Sequence, residues 1–111
     1  MIFEDDFVKK ARRTLSSDKD IELHMAIGLC TEAGELLDAY KKHVFYGREL
    51  DIRNVKEEIC DIVWYLEILC DELGYSTEQA KKDILVKLKH RYPDKFKDVT
   101  NRVIDEELRH M

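Results

Sequence analysis

The sequence predicts an all-α fold, a bundle of about five helices whose four-helix core is completed by dimerisation. Three observations predict it. Only four Gly and one Pro punctuate 111 residues, too few for the turns of a β-rich chain. Apolar side chains recur at helical spacing over long stretches. Two of those stretches carry apolar arcs too broad for one neighbour to cover, so a second copy is expected to bring two more helices. The length fits one domain, 1–111.

Five segments follow in order. The first covers about residues 3–15 and stops before Ser16-Ser17-Asp18. The second, about 20–44, ends near Tyr46-Gly47. The third, about 51–74, opens on Asp51 as an N-cap and stops at Gly74. The fourth opens at Ser76, with Gln79 three residues on in capping-box spacing, and ends at Tyr92 because Pro93 forbids continuation. A short fifth segment lies near residues 99–109.

Composition excludes several classes. At 44% hydrophobic and 39% charged, the chain is too apolar for disorder and too charged for a membrane protein. The net charge of −5 argues against a general nucleic-acid binder. The start, MIFEDDF, is acidic with no apolar run behind it, so no signal peptide is expected. Cys30, Cys60 and Cys70 are odd in number and form no CxxC. They read as buried thiols of a protein in the reducing cytoplasm.

The anomaly lies in the second and third segments. At 100° per residue, Ile21, Met25, Leu29, Ala33, Leu36, Leu37 and Tyr40 share one arc. Glu32 points into that arc and Glu35 sits at its border. On the third segment, Val55, Ile59, Ile62, Leu66, Leu69 and Leu73 form the arc. Glu58 falls well inside it and Asp61 at its edge. Ionised carboxylates directed inward repel one another and cost several kcal/mol to bury unless something positive lies between them. No Lys or Arg interrupts the inner arcs nearby, which leaves a divalent metal as the simpler partner.

The spacing is Glu32-x-x-Glu35, 22 residues, then Glu58-x-x-Asp61. A separation of three puts both acids of a pair on one helical face, and two such pairs on antiparallel helices converge. All-oxygen ligation suits Mg²⁺ or Mn²⁺, whereas zinc would ask for His or Cys. A di-iron bundle would need Glu-x-x-His pairs, and His24, His43, His90 and His110 do not supply them.

These residues resemble a known family. Leu29-Cys-Thr-Glu-Ala-Gly-Glu-Leu36, Glu57-Glu-Ile-Cys-Asp-Ile-Val-Trp-Tyr-Leu66 and Lys87-Leu-Lys-His-Arg-Tyr-Pro93 are similar to the MazG-like all-α nucleotide pyrophosphohydrolases, as is the stretch Lys41–Gly47. The resemblance implies an enzyme that cleaves a nucleoside triphosphate to the monophosphate and pyrophosphate, working as a homodimer or tetramer. It implies Glu32, Glu35, Glu58 and Asp61 as metal ligands, and Lys87 and Arg91 as phosphate ligands. Among the acids, Glu35 and Glu58 are the catalytic candidates, with Glu35 taking the proton of the attacking water. Tyr65, which shares the carboxylate face, and Trp64 beside it are candidates for contact with the base. Thr31 and Ile84 stand where many members carry an acid and an Asn, while the four ligand positions are intact. Two other readings stay open. One is a phosphoribosyl-ATP pyrophosphatase-like enzyme of the same superfamily. The other is a non-catalytic helical module that binds a protein or a metal.

Overall fold

The computed structural model describes residues 4–15 and 20–97. The expected segment near 99–109 lies outside the described residues. Those described form four α-helices and one 3₁₀ turn, with no strand among them: α1 (Glu4–Arg12), α2 (Ile21–Tyr46), α3 (Ile52–Glu72) and α4 (Thr77–Arg91), then a 3₁₀ turn (Pro93–Phe96). The chain divides into two compact units between Gly74 and Tyr75.

Local chemistry fixes the helix ends. Asp20 caps α2 by accepting the Leu23 N–H at 3.1 Å. Asp51 caps α3 through the Asn54 N–H at 3.0 Å, and Ser76 caps α4 through the Gln79 N–H at 3.1 Å. Each satisfies a backbone donor that the first helical turn leaves without a partner. Gly47 closes α2 in the left-handed region at φ 65°, where a Cβ would be strained, and its N–H returns to the Lys42 carbonyl. Pro93 opens the 3₁₀ turn directly after α4.

In the first unit the short connection 47–51 turns α3 back along α2. Gly28 then meets Tyr65, and Glu32 meets Glu58 and Asp61. The core lies toward the α2 N-terminus. Met25 and Ile68 are wholly buried there with Ala11, and Leu15, Ile21, Trp64, Tyr65 and Leu69 pack around them. Helix α1 closes this end. The Trp64 indole Nε1 donates to the Ala11 carbonyl at 3.1 Å. Arg12 bridges Asp71, at 2.8 Å from Nε, and Glu72. In the second unit the Tyr75 hydroxyl and the Gln79 amide both donate to the Asp83 carboxylate, holding the first turns of α4.

Two expectations need correction. The inner arcs are narrower than the helical pattern suggested. Ala33, Leu37, Tyr40, Ile59, Leu66 and Leu73 are exposed, because within the first unit α2 and α3 cover only part of each other's surface and α1 adds cover at one end alone. For the same reason Cys30 and Cys60 are exposed on the outer sides of α2 and α3, and only Cys70 is buried.

Candidate metal centre

Midway along α2 and α3 the apolar contact is interrupted by acids. Glu58 is buried, with 8% of its surface exposed. Glu32 is half-buried, and Glu35 and Asp61 are exposed. Oxygens of Glu32, Glu58 and Asp61 lie within 4.8 Å of one another. The Glu35 carboxyl reaches the same cluster, in hydrogen-bond contact with Glu58 and Glu32. The structure therefore gathers all four acids at one place.

Their electrostatics follow from that crowding. Two carboxylates in contact hydrogen-bond only by sharing a proton. The hydrogen bond that the protonated Glu35 donates to Glu58, the Glu58 negative charge and desolvation hold the Glu35 carboxyl above the usual range, against an opposing contact with Glu32. Contact with Glu32 and burial do the same for Glu58. No Lys or Arg among the described residues pairs with any of the four. Lys42 is engaged by Asp38 at 2.9 Å, and Arg53 by Glu57 at 3.6 Å. The Oε2 atoms of both Glu32 and Glu58 are buried with no hydrogen-bond partner.

Orphaned, inward-facing carboxylate oxygens are the donor set a hard divalent cation requires. The residues present fit the ion.

One turn from Asp61, the Tyr65 ring lies flat against α2 at Gly28. A Cβ built on Gly28 would sit 2.1 Å from a ring carbon, so this position admits only glycine while the ring stays in place. Trp64 meets Tyr65 edge-on at 5.0 Å, and its N–H is taken by Ala11. Nothing in the sequence reading pointed to Gly28. Its signal was an isolated glycine inside a helical pattern, which costs about 1 kcal/mol and so asks for a packing reason. Lys87 and Arg91 are exposed on α4, in the second unit.

Against known proteins, residues 22–96 match the family described as the MazG nucleotide pyrophosphohydrolase domain. No curated protein and no solved structure matches the chain.

Proposed function

The chain belongs to the MazG nucleotide pyrophosphohydrolase family. On that premise we propose that it is a Mg²⁺-dependent nucleoside triphosphate pyrophosphohydrolase, with Mn²⁺ able to replace Mg²⁺. The observation that carries the reading is the cluster of Glu32, Glu35, Glu58 and Asp61, two of them with buried oxygens that no protein group satisfies. The family match crosses the boundary between the two units, which supports reading 1–111 as one domain.

Glu32, Glu35, Glu58 and Asp61 would hold a divalent ion, which would neutralise charge on the triphosphate and lower the pKa of nearby water. The protein's own contribution is placement. Buried Glu58 and half-buried Glu32 fix the position of the site between the helices. Exposed Glu35 faces solvent at its border and accepts the proton of the attacking water. That water adds to the α-phosphorus, the bond to the bridging oxygen breaks, and pyrophosphate leaves with its electron pair. Tyr65, held flat by Gly28 and backed by Trp64, offers the base a platform. Lys87 and Arg91 are assigned to the phosphates on the family likeness alone.

We further propose a homodimer, which could pair again into a tetramer. Leu23, Ile27, Leu37 and Val44 are exposed on α2 at spacings of four, ten and seven residues. That is a heptad seam on the side away from α3. An apolar hollow of about 410 Å³ opens along it beside Tyr40 and Phe45. A second α2–α3 pair would cover such a seam as a four-helix bundle does. Among the described residues no helix is long and apolar enough to cross a membrane. The three free cysteines suit a reducing cytoplasm.

The test is a panel of canonical and modified NTPs and dNTPs with Mg²⁺, scoring pyrophosphate against orthophosphate. Pyrophosphate and the monophosphate are expected in equal amounts. Orthophosphate alone would exclude the reaction, and no turnover of any nucleotide would favour a non-catalytic module.

A further inference from the structure

The side chains along the facing α2 and α3 have an order. Tyr65 lies toward the packed end, Glu58 and Asp61 in the middle, and Asn54 and Asp51 one to two turns further along α3. Across from these on α2 stand Gly28, then Glu32 and Glu35, then Asp38 and Lys42. Beyond them, at the connecting-loop end, lies a polar cavity of about 270 Å³ lined by Asp38, Ala39, Lys42, Arg48, Glu49, Asp51 and Asn54. All of this lies within the first unit.

Three of the six polar side chains of the cavity, Asp38, Lys42 and Asp51, are already engaged, and the Glu49 carboxylate has no partner among the described residues. The Lys42 ammonium is 2.9 Å from Asp38. Asp51 accepts the Asn54 N–H as the cap of α3. The backbone of Arg48 is held at both ends. Its N–H donates to the Lys42 carbonyl at 3.4 Å, and its carbonyl accepts from His43 Nδ1 at 2.7 Å, which requires the proton on that nitrogen. The Arg48 guanidinium, by contrast, has no ion-pair partner among the described residues, and neither does the Asn54 carboxamide have a hydrogen bond. A cation on a pinned backbone, unpaired and lining a cavity, is arranged to receive an anion.

The linear order of a nucleoside triphosphate decides which anion. Base, sugar, α-, β- and γ-phosphate follow one another. With the base on Tyr65 and the α-phosphate at the carboxylates, the β- and γ-phosphates extend toward the cavity, about one 5.4 Å helical turn further on. We infer that Arg48, with Asn54 beside it, holds the pyrophosphate end of the substrate and hence the leaving group. Lys42, drawn partly off Asp38, adds a second positive charge. The inference rests on the pyrophosphohydrolase reading of the carboxylate site.

The experiment measures binding of inorganic pyrophosphate and, separately, of a nucleoside monophosphate to the full chain by calorimetry with Mg²⁺ present. Wild type, Arg48→Ala and Arg48→Lys are compared. Arg48 is exposed, so both variants are expected to fold, and circular dichroism checks it. Arg48→Ala is expected to lose about tenfold in pyrophosphate affinity, the worth of one charge-assisted contact. Its monophosphate affinity should stay within about twofold, and Arg48→Lys should recover part of the loss. Pyrophosphate binding unchanged in Arg48→Ala, or both products weakened alike, overturns the assignment and leaves the carboxylate site standing. Wild type binding neither product overturns the pyrophosphohydrolase reading and this inference together.

Discussion

The two ends of the α2–α3 pair are built from the same kinds of residue and end up in different states. At the α1 end, Met25 and Ile68 are wholly buried with Ala11, because α1 packs there and is tied to α3 by Trp64 and Arg12. Toward the connecting loop, Leu37, Val44 and Phe45 are 69%, 66% and 76% exposed, with no third helix of the first unit laid over them. The carboxylates sit at the boundary. At one end the inner face is packed within the chain, while Leu23 and Ile27 on the outer face of α2 stay exposed. The other end is left for what the chain binds, a metal ion and, on our proposal, a second copy. Folding stability is therefore concentrated away from the chemistry, as expected where a site carries crowded charges that oppose the fold.

Substitutions at the two ends should separate accordingly. The largest effect belongs to the packed end. Ile68→Ala removes a fully buried side chain and should cost about 2–5 kcal/mol in chemical denaturation. A loss below about 1 kcal/mol there would mean that this end is no better packed than the other. Gly28→Ala comes next, at the boundary. The new Cβ must push the Tyr65 ring aside, at about 1–3 kcal/mol, and nucleotide KM should rise with it. Unchanged KM would remove Tyr65 from the base platform. The smallest effect on the folded chain itself is expected from Val44→Glu at the open end. Its intrinsic stability should move by no more than about 0.5 kcal/mol, while light scattering shows the particle mass fall to that of one chain. A mass unchanged by Val44→Glu would place the interface elsewhere.

Much of this was legible in the sequence, and the exceptions share a cause. Helix ends at Gly47, Asp51, Ser76 and Pro93 depend on local chemistry, which a sequence displays directly. The inward aim of Glu32 and Glu58 follows from helical periodicity alone. What periodicity could not supply was the width of the covered stripe, since that depends on how many helices lie against each face. Leu37, Ile59, Cys30 and Cys60 were placed inside for that reason. Gly28 was missed because its role exists only once Tyr65 crosses it from another helix. The cavity around Arg48 and Asn54 was missed because it is formed by the turn between α2 and α3, not by either helix.

The pH behaviour of the acids provides the most direct test. Glu35 and Glu58 carry raised pKa values because neighbouring carboxyls share their protons. In the metal-free protein, stability tied to these groups is present below their unfolded values and is lost as pH rises through the raised folded ones. A bound cation must displace the shared protons, so its affinity should rise over the same interval. The measurement is a calorimetric titration of metal-free protein with Mn²⁺ at two pH values on either side of that interval, on wild type and Glu58→Gln. Saturable binding that strengthens with pH, releases protons and falls by about 100-fold or more in Glu58→Gln is the predicted result. Equal Mn²⁺ affinity in wild type and Glu58→Gln would contradict the assignment of the four carboxylates to a metal.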